Sequence, residues 1–133
     1  MAQTWNGIER RAQNLVGLHP AEAQMRSILQ VSPAGIGLTV NRVIQSANPA
    51  MTTITGYSAE ELIGQPARML YPSEADYDYV GREKYAQIAR HGIGVVETRW
   101  QRKDGSIVHV LLSSVPIDPA DLSRGVSFAA LDI

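Results

Sequence analysis

The chain has no cysteine. That removes disulfides, thiolate metal ligands and thiol nucleophiles together, and it fits a reducing, cytoplasmic setting. There is no run of about 18 apolar residues, and the N-terminus lacks a signal-peptide pattern. No membrane contact is therefore expected of this segment, and any anchor would belong to the rest of a longer parent protein. Charge of one sign is lacking too: 12 Lys and Arg face 13 Asp and Glu, for a net charge of -1. Without a basic stripe, nucleic-acid binding has no electrostatic support, and Arg10-Arg11 and Arg102-Lys103 read as solvated faces. Catalytic signatures are missing as well. Ser113-Ser114 has no nucleophile-elbow context, no phosphate loop or GxGxxG occurs, and no two histidines stand at metal-ligand spacing. The segment is not expected to be an enzyme.

What is present suits one folded domain. The chain has 133 residues, 44% hydrophobic and 19% charged, enough to bury roughly two-thirds of its unfolded surface. At the start, Trp5, Ile8, Ala12, Leu15 and Val16 recur at helical spacing. They form an apolar stripe that either packs on its own domain or pairs with a second copy, so they are the candidate dimerisation residues. Pro20 fits the first turn of a second helix to about Gln30, with Met25, Ile28 and Leu29 on its apolar side. We divide the chain at residues 1–28, a helical extension, and 29–133, the main domain.

Ser32-Pro33-Ala34-Gly35 breaks the helix. Ile36, Leu38 and Val40 then alternate with Gly37 and Thr39, as in a strand, and Asn41-Arg42 turns the chain into a second strand, Val43 to Ala47. From Asn48 to Gln65 two short helices are expected. Asn48 caps the first with Pro49 in its first turn, and Ser58 caps the second with Glu61 in capping-box spacing. Gly64 closes the second helix. Ser73 caps a longer helix to about Arg90, stopped by Gly92, with Tyr77, Val80, Lys84 and Ile88 down one side. Gly81 costs that helix about 1 kcal/mol relative to alanine. Three strands follow: Val95–Gln101, the Asp-Gly hairpin at Arg102-Lys103-Asp104-Gly105, Ile107–Ile117, a loop at Asp118-Pro119-Ala120-Asp121, and Gly125–Ile133. Strands, helices and strands in separate runs predict an α+β fold, with an antiparallel sheet covered by helices on one face.

The pattern Asn48-x-Ala50 with Gly56-Tyr57-Ser58-x-Glu60-Glu61-Leu62-Ile63-Gly64, the Arg102–Gly105 hairpin and the final Asp132-Ile133 resemble a PAS domain, a family of sensory modules, over about Leu29 to Ile133. The resemblance implies a five-stranded antiparallel sheet with helices over one face, and a small molecule, or simply packed side chains, between them. It implies signal relay through Asp132 and Ile133 to an output module, such as a two-component histidine kinase, beyond this segment. A homodimer is also expected.

Strand alternation supplies the candidate pocket residues. Ile36, Leu38, Val40, Val96, Thr98, Trp100, Val108, Val110, Leu112, Val126, Phe128 and Ala130 form a floor. Met51, Ile54, Leu70, Tyr85 and Ile88 form a roof. Glu97 and Arg99 belong on the wet face, and His109 points away from the floor. Close packing without ligand remains the alternative. Among the cofactors of similar domains, cysteinyl-flavin photochemistry and a thioester chromophore both require cysteine and are excluded. Trp100, Val110 and Ala130 also stand where the family's flavin-binding amides would be. Haem would use His91 near the end of the long helix, a position equally suited to a structural cation at a helix terminus. A carboxylate ligand would need a cation in the pocket. Arg68 and Arg82 are nearby but read as surface residues, and Lys84 could snorkel. The remaining reading is a dimerising interaction module with a solid core.

Overall fold

The computed structural model describes residues 19–133, so the stripe from Trp5 to Val16 lies outside the described residues. The chain divides into two units, one ending at Val31 and one spanning Ser32–Ile133. In the first, α1 (Pro20–Val31) begins where Ala21 N donates to His19 Nδ1 at 3.2 Å.

The second unit carries β1 (Gly35–Val40), β2 (Val43–Ala47), α2 (Pro49–Thr55), α3 (Ala59–Leu62), a 3₁₀ turn (Ala67–Leu70), α4 (Glu74–His91), β3 (Gly94–Gln101), β4 (Ile107–Pro116) and β5 (Val126–Asp132). The strands form one sheet in the order β2-β1-β5-β4-β3, and every pair is antiparallel.

Local chemistry sets the ends of these elements. Asn48 accepts from Met51 N at the start of α2 while also accepting from Ile36 N at 2.8 Å and donating to Ala34 O at 3.0 Å. One side chain thus caps a helix and fastens it to β1. The capping box at α3 is complete, with Ser58 and Glu61 exchanging hydrogen bonds. Ser73 caps α4, and Gly92 ends it in the left-handed region. The β1–β2 hairpin turns on two non-glycine residues of positive φ, Asn41 at 50° and Arg42 at 60°.

The inner face of the sheet follows the expected alternation on β3, β4 and β5. Val96, Thr98, Trp100, Val108, Val110, Leu112, Val126, Phe128 and Ala130 are all buried, as are Met51, Ile54, Leu70 and Ile88, while Tyr85 is partly buried. On β1 the alternation is reversed. Gly35, Gly37 and Thr39 face inward, and Ile36, Leu38 and Val40 occupy the half-buried outer face. The cause is close approach. A Cβ on Gly35 would lie 2.7 Å from Met51 Sδ, and one on Gly37 would lie 2.6 Å from Phe128 Cζ. Only glycine admits α2 and the Phe128 ring at these distances, so the branched side chains take the other face.

Candidate ligand cavity between the sheet and the long helix

The inner face is organised in rows across the strands. One row runs Gly37–Phe128–Ser114–Gly94. Its two glycines are closely covered, Gly37 by the Phe128 ring and Gly94 by the long helix. Above Gly94 the long helix α4 comes so near that a Cβ would lie 2.7 Å from the Lys84 carbonyl oxygen. This seats Lys84 over the sheet beside Ser114. A cavity opens here, lined by Thr39, Arg42, Ala67, Leu70, Tyr71, Lys84, Trp100, Leu112, Ser114 and Phe128, with about 30 Å³ open to the centre of a water-sized molecule. A volume near 15 Å³ by the same measure holds one water, so the space accepts a few waters or a small organic molecule.

Four of the sequence candidates line this cavity: Leu70, Trp100, Leu112 and Phe128. The others that are buried belong to the surrounding core. Ile36, Leu38 and Val40 are excluded from it by the reversed alternation, and Thr39 replaces them. Lys84 does not snorkel, since only 7% of its surface is exposed. Arg68 is partly exposed and pairs with Glu74 at 2.7 Å, and Arg82 is exposed. The cavity's guanidinium is instead that of Arg42, from the hairpin turn.

Arg42 is held in place on three sides. Its guanidinium carbon lies 3.5 Å from the centroid of the Tyr77 ring, a cation–π contact. Its Nη2 donates to the Tyr77 carbonyl at 3.2 Å, and its own carbonyl accepts from Ala67 N at 2.8 Å. Tyr77 in turn meets Tyr71 edge-on at 5.5 Å, and Tyr71 meets Trp100 edge-on at 6.4 Å.

The polar atoms of the cavity are incompletely satisfied. Arg42 Nε, Trp100 Nε1 and Ser114 Oγ are buried without a hydrogen-bond partner. Trp100 is only 2% exposed and Ser114 1%. An unsatisfied buried polar group is costly, and three around one cavity call for waters or a ligand within it. Tyr71 faces the same cluster. Burial pushes its hydroxyl pKa up, while Trp100 and Arg42 oppose that shift, though neither the indole N–H nor Arg42 Nε is aligned on an acceptor. Burial, and secondarily the charge of Arg42, pull the Lys84 ammonium down to about 8. No Asp or Glu lines the cavity. The ion pairs among the described residues leave out both Arg42 and Lys84.

His91 is exposed at the end of α4 and is not among the cavity residues. His109 lies on the outer sheet face, opposite Arg99. No cluster of potential metal ligands occurs among the described residues, and none of their helices is long and apolar enough to cross a membrane.

Known proteins share this topology and its helix-covered sheet. A family model described as the PAS fold matches residues 23–133. The chain belongs to the PAS family. PAS domains are sensory modules of signalling proteins. This one is 26% identical over 106 residues to the sensor protein TdiS of Thauera aromatica, covering 80% of this chain but 19% of that protein. It therefore spans about a fifth of the relative's length. Among solved structures, the PAS domain of a Colwellia psychrerythraea protein is 27% identical, with a TM-score of 0.75 over 84% of this chain and 95% of that one. The PAS domain of a LuxR-family transcriptional regulator from Burkholderia thailandensis, determined in complex with ethanol, is 20% identical. It has the same TM-score, 0.75, over 81% of this chain and 96% of that one.

Arg42, Tyr71 and Ser114 were not among the sequence candidates for this PAS domain. Ser114 lies one step of strand period beyond Leu112, so continued alternation would have reached it. Lys84 shares the helical stripe of Val80 and Ile88, both buried, and that neighbourhood signalled its burial. Arg42 left no signal, because nothing in a hairpin turn says which way its side chain folds back.

Proposed function

We propose that this PAS domain is the input module of a signalling protein, that it takes a small molecule into the cavity between the sheet and α4, and that it relays the resulting shift to an output domain such as a histidine kinase. The observation that carries this reading is the convergence of three unpartnered buried polar atoms, Arg42 Nε, Trp100 Nε1 and Ser114 Oγ, on one cavity. A packed core would satisfy or remove such groups. The likeness to a sensor protein, and to a PAS domain that holds ethanol, supports it.

The relay would run through Asp132 and Ile133. Asp132 lies 3.6 Å from Arg102, whose Nε donates to the Ile54 carbonyl of α2 at 3.0 Å. Ile133 N donates to His109 O at 3.0 Å. The end of β5 is thus tied to the hairpin and, through it, to the helical cover. A ligand biases such an arrangement only by binding one of its states more tightly. The haem reading finds no support in the position of His91.

A second reading, an interaction module that forms a homodimer, is favoured by the apolar side chains on the outer sheet face. Val95, Val115 and Leu131 are all more than two-fifths exposed. Light scattering of the chain, and of a form lacking residues 1–27, measures this directly. A dimer that survives the truncation would remove the N-terminal stripe as its cause.

The ligand reading is tested by native mass spectrometry of protein purified without additives, compared with its denatured mass. A small adduct lost on denaturation is expected. An unliganded mass, combined with failure of the cavity to take any small-molecule probe, would overturn it.

A further inference from the structure

Resting on the ligand reading above, we propose that the cavity's ligand is a short-chain organic carboxylate, its anionic end held by Arg42, Lys84, Trp100 Nε1 and Ser114 Oγ and its aliphatic end lying against Leu112 and Phe128.

The free hydrogen-bonding capacity of the cavity is on the donor side. Arg42 Nε and Trp100 Nε1 can only donate, and both are buried without an acceptor. Ser114 Oγ can turn its proton toward either kind of partner. Lys84 adds three donors, and its ammonium makes no ion pair among the described residues; the Tyr85 ring lies 4.9 Å away from it. The Tyr71 hydroxyl on the same wall interacts with both Trp100 and Arg42 but gives neither donor a well-formed bond, so the missing partner is a further acceptor. A neutral acceptor such as an alcohol would satisfy a donor but leave two positive charges facing one cavity with no carboxylate on its wall. Like charges held together out of water are unfavourable, and a single anion between them answers both deficits.

The remaining features select among anions. Arg42 is already committed to the Tyr77 ring and carbonyl, so it offers the ligand an edge rather than a full phosphate cradle. Ala67, Leu70, Leu112 and Phe128 make the rest of the wall apolar. An inorganic oxyanion would leave that wall against polar oxygens, whereas an aliphatic stem covers it. The cavity's small volume limits the stem to a few carbons. The sequence contains no acidic residue on the inner strand faces that could neutralise the cations from within, because Glu97 and Asp132 are exposed.

The test is thermal unfolding of the whole chain with propionate, its neutral isostere propionamide, and inorganic phosphate, each at about 10 mM, with the affinity of any binder then titrated. Propionate is expected to raise the melting temperature with concentration, and propionamide and phosphate are not. Arg42→Gln and Lys84→Met should each weaken propionate about tenfold or more, the ordinary worth of a charge-assisted hydrogen bond. Should either variant fold poorly, Gly81→Ala, which crowds only the tip of Arg42, should still fold and show the same weakening. Equal stabilisation by propionamide would overturn the anion assignment while leaving a small-molecule pocket in place. Stabilisation by phosphate alone would overturn the carboxylate. No response to any probe would overturn this inference, and with an unliganded native mass it would remove the ligand reading as well.

Discussion

Gly81 of α4 faces the guanidinium of Arg42 so closely that a Cβ at this position would lie 2.9 Å from Nη1 and 3.5 Å from Cζ. The glycine therefore gives up about 1 kcal/mol of helix propensity in favour of room for a cation at the cavity. Gly81→Ala should change stability by less than about 1 kcal/mol, because the gain in helix propensity is offset as the guanidinium is pushed from the Tyr77 ring and carbonyl. The same variant should lose propionate affinity. Urea denaturation and ligand titration on one preparation measure both, and a variant that binds as tightly as wild type would detach Arg42 from the site.

Lys84 gives the fold a characteristic pH dependence. Its pKa is about 8 in the folded chain against 10.5 ordinarily, mainly because it is buried. Below pH 8 both states carry the proton, and the cost of burying the charge is fully present. Between about pH 8 and 10.5 the unfolded chain binds the proton and the folded one does not, so stability rises with pH. The gain is at most a few kcal/mol, since each pH unit across that window adds about 1.4 kcal/mol. Tyr71 and Tyr85, whose pKa values burial raises, act in the opposite direction. Above about pH 10 the phenols of the unfolded chain ionise first, the folded chain holds more protons, and stability falls. Urea denaturation from pH 7 to 10 should therefore show wild type gaining stability relative to Lys84→Met. A constant difference between the two would mean that Lys84 stays solvated.

Asn48 should be the most sensitive polar position outside the cavity. Its amide serves Ile36 N, Met51 N and Ala34 O together. Asn48→Ala would strand these groups at a site that is buried, at a cost of about 2–4 kcal/mol. Chemical denaturation measures the loss, and a change below about 0.5 kcal/mol would mean that water replaces the amide without penalty.

Gly94→Ala tests how tightly α4 is seated on the sheet. The added methyl would meet the Lys84 carbonyl oxygen at 2.7 Å and its Cα at 3.1 Å, both backbone atoms that cannot swing aside. A loss of about 1–3 kcal/mol in chemical denaturation is expected, together with weaker propionate binding as Lys84 is pushed from its place.

Much of this was legible in the sequence. The caps at Asn48, Ser58 and Ser73 act within a few residues of themselves, so local spacing was enough to read them. The inner faces of β3, β4 and β5 followed from alternation, because charged residues such as Glu97 and Arg99 marked the wet side. β1 has no charged residue to mark a side. Its glycines face inward because of Met51 and Phe128, which lie far away in sequence, and alternation alone favoured the opposite face. The chemistry of the cavity was least legible. Lys84 sat in an apolar stripe that announced its burial, but a lysine on a helix ordinarily reaches solvent. Arg42 enters the site by folding back from a turn onto Tyr77, a contact between residues 35 positions apart that no local pattern encodes.

The most direct measurement follows the two orphan donors themselves. Trp5→Phe leaves Trp100 as the only tryptophan of the chain's two, so its indole N–H gives a single resonance in a nitrogen–proton correlation spectrum, alongside the Nε–H of Arg42. On titration with propionate both signals should move together and saturate at one affinity, as each donor gains an acceptor. Signals that stay fixed while propionate is added to excess would contradict a ligand at Arg42 and Trp100.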